Sequence, residues 1–397
     1  MNSEYFFVID IGTRFVRGLI CQKRPADGEP LKLHVVECEV REHMTRAMRS
    51  GQIHDIEKVA EIVKQIKSTL ENKIAANKSL CPETANAGDQ GGAPQAAPVT
   101  LTRVAVAVAG RNLVTYKGSA ESARTTLQPI TAEDIKQIEL AAVQNALENV
   151  GTEVEYYCVG YSASGYWLDD EELSTLLDHR ASNIKAEVLV TLLPRQVLEA
   201  MFAVMKRVDL EIDYLTLEPI AAMESTLSEN LRSLNLVLVD IGAGTSDIAV
   251  ISKGKIRAYG MVPAAGDLVT EAVSNDYLVD FHEAERIKRG VGSLQQPEAA
   301  GTDTTVKFKD IFERTQERSH EEFLQTLRPA VAGLAQRIAD EIKMLVPELA
   351  NGASRQYAVI LVGGGSLTPF LEEELSAMLQ IPRQRIGIRP ASLNREI

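Results

Sequence analysis

The chain has 397 residues, 45% of them hydrophobic and 24% charged, which suits two or more domains that each bury a core. Its net charge of −13, without any basic block, argues against a nucleic-acid binder, because phosphate contacts need clustered Lys and Arg. No apolar run approaches the roughly 18 residues that span a bilayer, and the acidic start at residues 1–4 does not read as a signal peptide, so a cytoplasmic protein is expected.

Residues 5–11 read as a strand ending in Asp-Ile-Gly, and residues 15–22 as a second strand after a tight turn. Between 56 and 74, apolar side chains recur at Ile56, Val59, Val63, Ile66, Leu70 and Ile74. That is helical periodicity with one buried face, and Asp55 is placed to cap it. Residues 75–98, rich in Ala, Asn, Gly, Gln and Pro, have no period and read as a disordered insertion. A strand is expected at 103–110. Thr131 and Asp134 form a capping-box-like start to a helix reaching about Val150. Residues 186–193 read as a strand and 195–208 as a helix.

The second half opens with a strand at 236–241, again ending in Asp-Ile-Gly, followed by strands at 246–252 and 256–261. Helical patterns occupy 267–275 and 281–289, and a polar loop 293–305. Residues 310–349 read as mostly helical with a break near Pro329, and 357–362 as a buried strand ending in three glycines. Strands alternating with helices imply layered α/β domains. The repeated strand–Asp-Ile-Gly–strand unit suggests two related domains facing each other.

Phosphates are well held by backbone N–H groups, which glycine lets come close, and Mg²⁺ keeps most of its waters while relying on nearby carboxylates. Asp10, Gly12 and Thr13 offer a carboxylate, a tight turn and a hydroxyl. Asp240, Gly242, Gly244, Thr245 and Asp247 offer two carboxylates, two glycines and a hydroxyl. A lone Asp-Ile-Gly-Thr would be no more than a hairpin turn. The longer second motif is more specific, and the pair points to a phosphate clamp. Glu285 and Lys288 share a helix face; taken alone they read as a solvated surface pair. The turn at Gly363, Gly364, Gly365 and Ser366 is by itself a weak loop signal. The scattered Cys21, Cys38, Cys81 and Cys158 lack metal-ligand spacing and read as reduced thiols.

The ordered set Asp-Ile-Gly-Thr, Glu-Pro, Asp-Ile-Gly-x-Gly-Thr-x-Asp, Ala-Glu-x-Ile-Lys and Gly-Gly-Gly-Ser resembles the superfamily of actin, sugar kinases and DnaK-type chaperones. The resemblance implies an α/β fold of two lobes with duplicated mixed sheets, binding ATP or ADP with Mg²⁺. By it, Asp10, Gly12, Thr13, Gly242, Gly244, Thr245 and Asp247 would meet phosphate or its metal. Asp10 and Asp240 would hold the Mg²⁺ waters, and Glu218 would orient the attacking water. Glu218, Asp240 and Asp247 are thus the catalytic candidates. Gly266, Glu285 and Lys288, with Gly363, Gly364, Gly365 and Ser366, would receive the nucleoside.

Within that superfamily, residues 262–270 resemble the Ile-Pro-x-Ala-Gly-x-x-Val-Thr segment of the bacterial cell-division family FtsA. Residues 284–290, 311–314 and 51–55 resemble further stretches of that family. Residues 130–135 and the strands that follow resemble its small α+β SHS2 domain, expected at 113–185 as an insertion in the first lobe. The first lobe is then expected at 1–112 and 186–233, the second at 234–270 and 350–397, and a helical subdomain at 271–349. The resemblance implies a scaffold that self-associates and links a tubulin-like FtsZ partner to the membrane, contacts later division proteins, and hydrolyses ATP slowly if at all. The family's membrane-binding helix would lie beyond Ile397. Ala243 departs from the usual glycine and puts hydrolysis in doubt. A PilM-type pilus-assembly adaptor and a small-molecule kinase of the same fold are the alternative readings.

Overall fold

The computed structural model describes residues 5–24, 32–76, 99–109, 111–125, 128–151, 153–293, 305–350 and 356–389. Phe7, Ile9 and Ile11 are buried and alternate with half-buried neighbours, as a strand covered on one face requires. They form β1 (Tyr5–Ile11), which turns into β2 (Phe15–Arg24) and β3 (Lys32–Glu42). After the short pair β4 (Met48–Arg49) and β5 (Gln52–Ile53), α1 (Ile56–Ala76) buries Val59, Val63, Ile66, Leu70 and Ile74, the expected face. Next comes β6 (Arg103–Val108). Of the insertion expected at 75–98 and the loop expected at 293–305, residues 77–98 and 294–304 lie outside the described residues, while residues 75 and 76 end α1 and residues 293 and 305 belong to flanking elements.

The chain then builds a separate small sheet from β7 (Val114–Ala123), β8 (Tyr156–Leu168), β9 (Glu171–Leu173) and β10 (Asn183–Pro194), with α2 (Ala132–Glu148) between the first two strands. The capping box forms as read: the Thr131 hydroxyl accepts from the Asp134 amide while the Asp134 carboxylate accepts from the Thr131 amide at 2.9 Å. Returning to the first sheet, α3 (Arg195–Arg207) leads to β11 (Glu211–Leu217), α4 (Glu218–Thr226) and α5 (Glu229–Arg232). The first sheet has strand order β11-β6-β1-β2-β3.

The second half repeats this plan. A meander of β12 (Leu236–Ile241), β13 (Ser246–Ser252) and β14 (Lys255–Val262) is followed by α6 (Gly266–Tyr277) and α7 (Phe281–Ser293). The hairpin β15 (Thr305–Lys309) and β16 (Thr315–Ser319) precedes α8 (His320–Leu345), α9 (Pro347–Ala350), β17 (Ala358–Val362), α10 (Leu371–Leu379) and β18 (Ile386–Ile388). The order β14-β13-β12-β17-β18 mirrors the first sheet, with β17 parallel to β12 as β6 is parallel to β1.

Two elements depart from the expected pattern within 271–349. Residues 310–319 are not helical: the Asp310 carboxylate accepts from the Phe312 and Arg314 amides, both at 2.9 Å, and that turn sets the β15–β16 hairpin. The helix does not break at Pro329 but runs through it. Pro329 lies on the exposed side, so the backbone group it strands can reach water. Phe323, Leu327, Val331, Leu334 and Ile338, all fully buried, hold the helix down on both sides of it.

Contact clustering separates two compact units, one including Met1–Ala109 and Arg195–Ala221, the other Gly110–Pro194 and Ala222–Ala391. The small domain is therefore inserted in the chain of the first sheet but packs within the second unit. There the Glu172 carboxylate pairs with Lys253 at 3.0 Å and Arg257 at 3.4 Å, and the Lys255 ammonium lies 4.4 Å from the Tyr166 ring centroid.

Candidate functional site

In the first unit, antiparallel pairing sets Asp10 opposite Arg17, and their side chains form an ion pair at 3.0 Å. The turn between them closes through the Gly12 amide, which donates to the Phe15 carbonyl at 3.0 Å. The Thr13 hydroxyl oxygen accepts from the Gly51 amide at 3.1 Å, which leaves its hydrogen able to serve a ligand. His43 is buried against the same turn. Its backbone amide donates to the Arg14 carbonyl at 2.9 Å, and its Nε2 lies 3.2 Å from the Gly12 carbonyl oxygen. Glu218 stands half-buried at the first position of α4, directly after β11.

Burial pushes the His43 ring below its ordinary pKa of 6.5, against weaker upward pulls from the Gly12 carbonyl and Glu42. An unfolded chain takes up a proton near pH 6.5 that the folded chain resists. The stability this group contributes is therefore complete above pH 6.5 and is lost progressively as the pH falls below it. Urea unfolding across this range should show stability declining on acidification, with a shallower decline in His43→Gln. Identical profiles for the two proteins would contradict the assignment.

The second unit builds the same turn. Asp240 and Asp247 are register partners, and the Gly242 amide donates to the Thr245 carbonyl at 2.9 Å, the same three-residue closure as at Gly12. The Gly242 and Ala243 carbonyls accept from the Gly266 and Asp267 amides at the start of α6, at 3.2 and 2.7 Å. Among the described residues, no backbone carbonyl outside helices and strands accepts from the amides of Ala243, Gly244 or Thr245. The turn thus has its carbonyls drawn back and its donors left over, the arrangement an anion requires. Ala243 is not among the residues with positive φ, so the backbone does not demand glycine there.

The nucleoside candidates of the second unit also converge. Gly266 opens α6, and a methyl group placed on it would approach Lys288 Nζ at 3.4 Å and the Gly242 carbonyl at 3.3 Å. Lys288 donates to the Gly266 carbonyl at 3.0 Å and to the Thr270 hydroxyl at 2.7 Å, and it pairs with Glu285 at 2.7 Å. Thr270 donates to Glu285 at 2.5 Å, and Arg289 pairs with the other Glu285 oxygen at 2.7 Å. The Glu285 and Lys288 side chains are only 10% and 13% exposed, so they are not the solvated surface pair that spacing alone suggested. Gly363 follows β17 and lies against Asp240, and Gly365 lies against the Gly242 carbonyl. Gly364 borders open space. The Ser366 hydroxyl is buried and donates to the Gly363 carbonyl at 2.7 Å, so it braces the glycine turn.

Arg17, His43, Thr270 and Arg289 were not singled out by the sequence. Arg17 was open to discovery, because a hairpin that closes on Gly12 places it opposite Asp10. Arg289 follows Lys288 and lies one helical turn from Glu285. Thr270 closes the segment at 262–270 that resembles a family motif, but that resemblance gave it no role, and His43 carried no local signal.

A duplicated strand order with a glycine turn and an acidic residue in each half defines an actin-like fold, and solved structures agree. The PilM–PilN type IV pilus biogenesis complex superposes with a TM-score of 0.61 at 14% identity, covering 97% of this chain and 88% of that one. MreB5 of Spiroplasma citri bound to ADP gives a TM-score of 0.52 at 16% identity, covering 99% and 94%. The MreB/Mbl protein family matches residues 207–391. Within the fold class, the sequence is similar to the cell division protein FtsA: that of Pseudomonas aeruginosa is 25% identical over 386 residues, 96% of this chain and 82% of the relative. No helix among the described residues is long and apolar enough to cross a membrane.

Proposed function

We propose that this chain is an ATP-binding, self-associating scaffold of bacterial cell division, held in its assembling form by nucleotide and Mg²⁺. The observation that carries the reading is the turn built twice, each with a carboxylate at the end of its first strand and each closed by the same glycine hydrogen bond. The residues fit a hydrated Mg²⁺: Asp240 and Asp247 are direct cross-strand neighbours, so their carboxylates start from adjacent positions on one face. The ion would neutralise phosphate charge there. Glu218 is the candidate for orienting water in a slow, regulatory hydrolysis. Thr270, Glu285, Lys288 and Arg289 supply donors and acceptors suited to a ribose and base.

The similarity to FtsA supports placing the scaffold between an FtsZ-like tubulin homologue and the inner face of the membrane, with later division proteins recruited through the small domain. Titration calorimetry tests the core of the reading. Mg-ATP should bind the native chain and fail to bind Asp240→Ala, with sedimentation of the native chain increasing when nucleotide is added. Equal binding by both proteins would rule out this site. Rapid phosphorylation of any small metabolite would replace the scaffold with a kinase.

A further inference from the structure

The two phosphate-turn candidates solve one problem differently. A turn that offers its amides to an anion must have its carbonyls held away from that anion. In the second unit the start of α6 does this, its Gly266 and Asp267 amides taking the Gly242 and Ala243 carbonyls. In the first unit β3 ends at Glu42 and is followed by an irregular stretch, so no helix start is available. The residue in its place is His43. Its backbone amide takes the Arg14 carbonyl at 2.9 Å and its ring lies 3.2 Å from the Gly12 carbonyl oxygen.

The chemistry fixes the tautomer. A carbonyl oxygen can only accept, so Nε2 carries the hydrogen and Nδ1 carries a lone pair. Nδ1 is buried and has no hydrogen-bond partner among the described residues. A buried imidazole with one nitrogen unsatisfied is an unfavourable way to fill space. Its retention is explained by the one bond it makes to the turn. The segment that carries it is itself fixed: the Ala47 carbonyl accepts from His54 and Asp55 at 2.9 and 3.1 Å, Ala47 and Met48 are buried, and Gly51 reaches the Thr13 hydroxyl. The stretch from His43 to Gly51 is a strap across the turn, with His43 as its polar anchor.

We infer that His43 is a positioning residue for nucleotide binding, its neutral imidazole donating to the Gly12 carbonyl and so aiming the amides of the first turn at phosphate. The inference rests on the nucleotide-binding reading above. His43→Phe keeps a ring of similar size and the backbone bond to Arg14 but removes the donor. His43→Gln returns an N–H donor at a similar reach.

Mg-ATP affinity by calorimetry should fall about tenfold in His43→Phe, the effect of leaving one partly buried carbonyl unpaired, and should largely recover in His43→Gln. Hydrogen exchange of the residue 12–15 amides, measured without nucleotide, should be faster in His43→Phe than in the native chain and slow again in His43→Gln. Native affinity in His43→Phe, or an equal loss in both variants, would overturn the positioning role, the latter because it would mark a requirement for the imidazole shape alone. If the native chain binds no nucleotide, the functional reading fails and this assignment fails with it. If the native chain binds and Asp240→Ala does not, only the His43 comparison decides.

Discussion

Gly363→Ala should unfold the second half of the proposed nucleotide site, lowering stability by about 2–5 kcal/mol through left-handed backbone strain and overpacking together. Gly363 has φ of +81°, a conformation side chains rarely adopt. Its methyl group would strike Asp240 Oδ1 and lie 2.5 Å from the Ile241 carbonyl oxygen. That carbonyl belongs to β12, which is paired on one side with β13 and on the other with β17, so it cannot retreat without breaking the centre of the sheet. Gly364→Ala is the control. A methyl there meets nothing within 4 Å, so its effect should stay within about 0.5 kcal/mol. Thermal unfolding of the two variants, with Mg-ATP titration of whatever remains folded, checks both statements. Equal melting temperatures would mean that the turn is not packed as described.

The pair also shows what the sequence could and could not convey. Three adjacent glycines look alike in a row of letters, yet one has a left-handed backbone and crowded surroundings, one lies in the open and one rests against Gly242. The duplicated Asp-Ile-Gly strands were legible because each motif is local and ends a recognisable strand, β1 with buried residues that alternate with period two and β12 with a continuous buried run. The helix at α2 was legible because a capping box needs only four residues. The hairpin at β15–β16 was not. Its second strand, Thr-Gln-Glu-Arg-Ser, has no apolar alternation, and Ile311 and Phe312 at the turn are 62% and 57% exposed, so they imitate a helix face without being one. The structure starts α8 with a capping box of Ser319 and Glu322, a pairing that the reading of residues 310–349 passed over. His43 lies 31 residues from Gly12, and only the folded sheet brings them together.

Lys288→Met carries the second large effect. Spacing alone could not decide between a solvated pair and a site, because the i to i+3 relation is the same in both. Burial decides. A pair at the surface contributes about 0–1 kcal/mol, whereas removing one partner of a buried pair costs about 3–5 kcal/mol, since the other charge is left without compensation. With both side chains nearly covered and Thr270 bridging them, the second case applies. Arg289 still pairs with Glu285, so the loss expected in Lys288→Met is nearer the lower end, about 3 kcal/mol. Neutralising the stranded carboxylate as well, in Glu285→Gln with Lys288→Met, should recover part of that stability, because the two residues share one network. Nucleotide affinity should not recover with it, since the double variant has lost the groups that would meet the nucleoside. Urea unfolding and calorimetry on the same three proteins separate these outcomes. Recovery of both properties would reduce the pair to a packing element, and loss of neither in the single variant would return it to the surface pair that spacing suggested.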